Sequence, residues 1–398
     1  MNRWHAVAIA ALSLLSPGTP LAAAPDGSDD AGVSARSPGL RWLEIDLSQD
    51  ASGQPAAEAT PPRWTLSGTA DFYFSTNTND PFTGTNVFRA FDIKDEHGVH
   101  FSFLELAAEK RRTPWGARID VDFGPTARIV NSFEPSDDKF WQYLQQLYVS
   151  RNLNGAGTTY LDFGKFVTSA GAEVIEARSN YLYSRGVLFT WAIPFYHFGL
   201  RGFHYFNDTD YLTLQVVRGW NAVTDNNDAI TLGIGGGRKF GANTIGTLIY
   251  YVGPEPDATG GGNTRHLVDV VLTHTVGDRW TFVLNGDFAR QDSFSFGGGV
   301  RQDVDWMGLA GYARYQWTPR NAVTLRGEWF NDSEGAATGV SQNLRSVTLG
   351  LSHRLNTYAE ARLEWRRDWS NVRVFPESTA GSFGRSQNTI LGALVLGF

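Results

Sequence analysis

The chain has 398 residues, a net charge of −7, 19% charged and 13% aromatic residues, 43 glycines and no cysteine. The acidic balance argues against nucleic acid as a partner, and the missing cysteines exclude a disulfide framework and thiolate chemistry. Few charges, much glycine and many large rings suit a β-rich chain with one face in lipid.

The chain opens MNRWHAVAIAALSLLSPGTPLAAAP. Arg3 supplies a positive start, Ala6 to Leu15 a short apolar core, and small residues follow at Ala22, Ala23 and Ala24. Residues 1–24 are therefore expected to be a secretory signal peptide, since a membrane span needs about 20 apolar residues. Cleavage after Ala24 meets the small-residue rule but leaves Pro25 beside the scissile bond. Residues 25–63 are rich in Ala, Ser, Pro and Asp and read as a disordered periplasmic lead-in, in which only GLRWLEIDL (39–47) could order itself.

From Trp64 the pattern changes. WTLSGTADFYFS places Trp64, Leu66, Gly68, Ala70, Phe72 and Phe74 on one face and Thr65, Ser67, Thr69, Asp71 and Tyr73 on the other. That is period 2 over a stretch matched to a tilted membrane-spanning strand. ARIDVDF, TFVLNGDF, AVTLRGEWF and YAEARLEWRR repeat it, whereas FSFLELAAEK (101–110) is ambiguous in phase. Sixteen strands are expected, near 64–75, 98–110, 115–123, 143–152, 158–167, 197–206, 209–219, 229–239, 243–252, 265–275, 279–290, 303–317, 321–331, 343–354, 357–368 and 387–398.

Links after even-numbered strands are short, such as NDTD, VGDR and LNT. Those after odd-numbered strands are longer: 76–97, 124–142, 168–196, 220–228, 253–264, 291–302, 332–342 and 369–386. Segregation of link length by parity implies an all-β, 16-stranded antiparallel up-and-down transmembrane β-barrel over 64–398, with short periplasmic turns and long external loops. Trp64, Trp115, Trp280 and Trp317 fall at the periplasmic strand ends, where an aromatic girdle belongs. The last strand, NTILGALVLGF, carries apolar residues on one face and ends in Phe398, the usual form of the outer-membrane insertion signal.

Inward-facing charges of both signs nearly balance: Asp71, Asp120, Asp122, Asp269, Asp287, Glu328, Glu360 and Glu364 against Arg118, Arg201, Arg314, Arg326, Arg362 and Arg366. Sixteen strands enclose a lumen too wide for side chains to fill, so a water-filled passage is expected. The third long link, 168–196, breaks the alternation and contains Val174, Ile175, Val187, Leu188 and Phe189, which suit a loop folded inward against the wall. A pore constriction is expected there: Glu173 and Glu176 facing Arg326 and Arg362, both placed at mid-height, with Arg178, Arg185 and Arg201 nearby. The bland alternative is that these acids only cap or salt-bridge the loop, with Arg178 or Arg185 as partner.

GKFVTSAGAEVIEA, NYLYSRGVLF and AIPFYHFGLR, over about 164–202, resemble the OmpL-like putative beta-barrel porin-2 family. The resemblance implies an outer-membrane channel of a Gram-negative bacterium for passive diffusion of small hydrophilic solutes or ions, and transfers no ligand residues. Ala172 departs from it, since many relatives carry an aromatic after the loop's glycine. Two other readings stand beside the porin. A barrel lipase or protease would need one of His97, His100, His197, His204, His266, His274 or His353 with a nucleophile and an orienting group, and no such motif accompanies them. A structural or adhesive barrel differs by not conducting. The expected partners are outer-membrane lipid and small solutes, with a homotrimer by analogy to other sixteen-stranded porins. No cofactor is expected, and the Asn- and Asp-rich links near Asn77–Pro81 and Thr224–Asp228 read as solvated loops as readily as Ca²⁺ sites.

Overall fold

The computed structural model describes residues 64–398 apart from 95–97, 113, 135–139, 225–226, 258, 261 and 298. The expected signal peptide, the lead-in over 25–63 and His97 lie outside the described residues.

Sixteen long strands form one closed antiparallel barrel. They are β1 (Trp64–Asn77), β2 (His100–Lys110), β3 (Trp115–Phe123), β4 (Leu144–Asn152), β5 (Thr159–Val167), β6 (Tyr196–Tyr205), β7 (Tyr211–Val217) and β8 (Thr231–Phe240) in the first half. The second half holds β9 (Thr244–Pro256), β10 (Gly262–Val276), β11 (Trp280–Ser295), β12 (Arg301–Thr318), β13 (Asn321–Asp332), β14 (Gln342–Arg354), β15 (Ala359–Ser370) and β18 (Ser386–Gly397). Two-residue strands β16 (Phe375–Pro376) and β17 (Phe383–Gly384) pair with each other inside the last long link. Short helices α1 (Pro125–Val130) and α2 (Val187–Trp191) sit in the second and third long links. No described helix is long and apolar enough to cross a membrane; the crossing elements are the strands.

The alternation read from β1 is realised. Leu66 is 71% exposed while Asp71 is 1% exposed, so the apolar face looks out and the polar face in. Leu232 and Ile234, Phe282 and Leu284, and Leu349 and Leu351 continue the outer apolar surface, with Trp64, Trp115, Trp280 and Trp317 exposed at the short-turn ends. The seam closes by β18 pairing β1, ending with Phe398 exchanging backbone hydrogen bonds with Gly68.

β2 explains its own ambiguity. A register shift opposite Asp71/Phe72 leaves Ser102 and Phe103 both buried, after which Glu105 and Ala107 face in. A bulge moves the phase by one residue, which a strict period-2 reading cannot follow.

Two expected loops are corrected. The links 253–264 and 291–302 shrink to 257–261 and 296–300, because β9–β10 pairing runs up to Pro256↔Gly262 and β11–β12 pairing up to Ser295↔Arg301. Continuing the ladder satisfies backbone groups that a loop would have to satisfy otherwise, so these hairpins extend instead of looping.

Candidate functional site

Within β5, ahead of the third long link, stands a glycine that the geometry requires. Gly164 has φ +139°, and a Cβ there would come within 2.8 Å of Tyr148 Cα on β4. This is the glycine of the GKF stretch, and it stands opposite Gly199 of β6.

From there residues 168–195 bond to side chains around most of the barrel. Gln215 of β7 donates to Ser169 Oγ at 3.0 Å, and Ala172 N–H donates to Asn285 Oδ1 of β11 at 3.2 Å. Glu173 forms an ion pair with Arg326 of β13 at 2.6 Å and accepts from Gly186 N–H at 2.5 Å. Glu328, two residues on from Arg326, accepts from Val187 N–H at 2.7 Å, at the start of α2. Tyr183 and Ser184 N–H groups and the Ser184 hydroxyl all donate to Glu364 of β15. The Tyr183 hydroxyl donates to Asp71 of β1 at 2.7 Å, and Trp306 of β12 donates to Ala192 O at 3.2 Å.

Carbonyls of the link are served in the same way. Arg326 donates to Ser184 O at 2.7 Å, Arg366 to Arg185 O at 2.6 Å, and Arg362 to Ala177 O at 2.9 Å. Buried backbone groups must find such partners, and here the strands' charged residues supply them. Charge-assisted bonds of this type are the stronger class.

The apolar residues of the link join one cluster. Leu188, Phe189, Ile193 and Phe195 are buried with Phe91 of the first long link and with Tyr251, Trp306 and Phe330 of the wall. The ring pairs Phe91–Phe189 and Phe189–Phe195 stand at 5.9 and 5.4 Å. The first link is also pinned, by Arg89 to Asp368 of β15 at 2.9 Å.

The expected site residues are distributed as follows. Glu173 and Arg326 meet. Arg362 reaches the link through Ala177 O while its carboxylate partner is Glu360, at 2.7 Å. Glu176 is buried, and its carbonyl accepts from Asn180 Nδ2 at 3.0 Å. Arg185 bonds within the link, to Val174 O at 3.3 Å and to Tyr183 O and Ile175 O. Arg178 is exposed and donates to Thr357 O of a short turn at 3.5 Å. Arg201 pairs with Asp162 of β5 at 3.0 Å and lies over the Phe166 ring at 4.2 Å.

Arg362 is not at mid-height. Register places Arg326 opposite Thr348 and Thr348 opposite Arg366, whereas Arg362 is level with Ser352 and Ala322, nearer the short turns. Arg366, Glu328 and Glu364 therefore complete the layer that holds the link. Their inward parity was visible in the sequence, but register was needed to show which inward charges share a height.

Burial, followed by the Asp71 carboxylate to which it donates, pushes the Tyr183 hydroxyl well above the ordinary phenol range. Burial likewise pushes Tyr181 up to about 12. Both phenols stay neutral donors at physiological pH. Of the histidines, His197 is buried with Nδ1 2.8 Å from Gly219 O, while His204, His274 and His353 hydrogen-bond to Thr159, Thr244 and Asn321.

A family model described as "Putative beta-barrel porin-2, OmpL-like" matches residues 63–398. No curated protein matches the chain in sequence. In fold it is similar to the outer membrane channel DcaP of Acinetobacter baumannii (TM-score 0.57, 11% identity, covering 84% of this chain and 97% of that one). OprB of Pseudomonas putida gives TM-score 0.57 at 9% identity, covering 84% and 94%. An anion-selective porin from Comamonas acidovorans gives 0.55 at 11% identity, covering 84% and 99%.

Proposed function

Because the chain belongs to the OmpL-like putative beta-barrel porin-2 family and is an outer-membrane porin channel, we propose that its third long link folds into the lumen and sets the narrowest section. The observation that carries this reading is the set of bonds from residues 172–187 to inward side chains of β1, β11, β13 and β15. Bonds to walls on both sides of the closed ring support a path across the space that the ring encloses. Glu173, Glu176, Arg178, Arg185, Arg326 and Arg362 lie on it or bond to it; Arg201 belongs to the wall from which it departs. In this reading the Glu173–Arg326 pair holds the link in place, and small hydrophilic solutes diffuse through the polar remainder of the lumen.

Residues 1–24 direct export and are removed, residues 25–63 form a periplasmic lead-in, and the barrel assembles as a homotrimer. The chain works as a channel and not as an enzyme.

Planar-bilayer recording tests the reading. The purified barrel is expected to give discrete conductance steps, and Glu173→Gln/Glu176→Gln is expected to change step size or reversal potential. Unchanged values in that variant would remove the link from the conduction path. A silent wild type would remove the channel itself.

A further inference from the structure

Below the layer that holds the third link, toward the short turns, four arginines gather with few acids. Arg314 of β12 stands opposite Thr324, Arg354 of β14 opposite Glu360, and Arg362 of β15 opposite Ser352. Arg178 of the link joins them, donating to Thr357 O in the turn between β14 and β15. Arg314 lies within electrostatic reach of both Arg354 and Arg362, and Arg178 within reach of Arg354.

Two carboxylates lie nearest in register. Glu360 pairs with Arg362 at 2.7 Å and is the one carboxylate also within electrostatic reach of Arg178, Arg314 and Arg354, a single charge against four. Glu364, one inward position higher, accepts from the Tyr183 and Ser184 N–H groups. Glu176 is buried in the link one residue before Ala177. Among the described residues Arg178, Arg314 and Arg354 form no ion pair. Arg314 has a 3.5 Å bond to Thr324 Oγ1, the Tyr181 ring 4.9 Å away, and Glu360 within reach but not in contact.

Unpaired guanidinium groups that repel one another are costly unless an anion joins them, and their planar donor forks match carboxylate and phosphate oxygens. Partial burial, then the neighbouring Arg354, pull Arg178 below the usual guanidinium range against the opposing pull of Glu360.

We propose that Arg178, Arg314, Arg354 and Arg362 form an anion-binding station in the short-turn half of the lumen, for small solutes bearing carboxylate or phosphate. It rests on the channel reading for its role in transport, although binding can be read without conduction. An anion entering this half exchanges water for two or more forks at once, and Tyr181 supplies an apolar floor beside them.

The test has two arms. In a KCl gradient across a planar bilayer, the wild type is expected to show a reversal potential of the anion-preferring sign and current block by inorganic pyrophosphate. Arg314→Gln/Arg354→Gln should shift the potential toward zero and lose the block, while Arg314→Lys/Arg354→Lys should retain the sign. A cation-preferring wild type, or a Gln variant with unchanged potential and block, overturns the station. In the second arm, pyrophosphate is titrated calorimetrically into the detergent-folded barrel. Binding that is lost in the Gln variant supports the station even if the barrel does not conduct, in which case only the channel reading falls. No binding by the folded wild type overturns it. Unchanged heat-modifiable gel migration confirms that each variant is folded.

Discussion

Two walls of the barrel carry the same polar-inward pattern and use it differently. On β4 to β6 a charged group is satisfied within the wall: Arg201 pairs with Asp162 across β5–β6, and Ser150 donates to Asp162 at 2.5 Å. Beside them Tyr160, Phe203, Tyr205 and Tyr211 stack, with Tyr160–Phe203 centroids 5.0 Å apart and Tyr205–Tyr211 centroids 5.3 Å apart. On β13 to β15 the charges serve a foreign backbone: Arg326, Glu328, Glu364 and Arg366 bond to residues 173–188. Inward polarity is thus a general requirement of the barrel, while the choice of partner depends on where a long link lands. The wall from which the link departs touches the long links at Gln215 and Lys165, whereas the wall on which it lands gives four charged side chains to one link.

The largest effect that separates the walls is expected from Arg326→Met. It strips Glu173 and Glu328 of their buried partner, a loss of about 3–5 kcal/mol. The urea midpoint of the detergent-folded barrel should fall, and single-channel current should become noisier as residues 172–187 loosen. Steady wild-type current from a folded Arg326→Met barrel would break the comparison.

Arg201→Met should be comparable in stability, or somewhat milder because Ser150 still donates to Asp162, at roughly 3 kcal/mol. Its conductance and reversal potential should match wild type, since its pair lies within the wall. A changed step size would show that the departing wall also shapes the passage.

Glu364→Gln keeps an acceptor but replaces a charged one that serves two N–H groups and a hydroxyl, and should lose about 1–3 kcal/mol. Proteolysis within 178–187 of the folded barrel is the sensitive readout, and unaltered cleavage would mean that Glu364 is dispensable for holding the link. The smallest loss, about 1 kcal/mol, is expected for Tyr183→Phe. That variant removes the hydroxyl's bonds to Asp71 and Ser102, and a double-mutant cycle with Asp71→Asn isolates the coupling to Asp71.

Legibility in the sequence followed the range of the interaction. β1, β3, β13 and β15 could be read residue by residue, because each strand's alternation is imposed by lipid on one side and water or protein on the other. β2 could not, since one extra residue at Ser102 moves its phase and only the pairing with β1 reveals it. The far ends of β9 to β12 read as loops because Gly253, Pro254 and Pro256 and the run Asp292 to Phe296 break the apolar alternation, although the ladder continues. Within the candidate site Glu173 and Arg326 were foreseeable as a loop acid and an inward base. Arg362 lies nearer the short turns than its place in the strand suggests, and the inward parity of Glu328, Glu364 and Arg366 does not name their partner.

By itself, then, the sequence determined the number of strands, their inward and outward faces, the end bearing the long links and the residues of the link that enters the site. Each is written in local periodicity and link length, which the lipid and the backbone impose directly. Only the tertiary structure decided which charge meets which. Closure of the ring fixes the register between distant strands, and a desolvated link takes its hydrogen-bond partners from whichever side chains that register brings within reach.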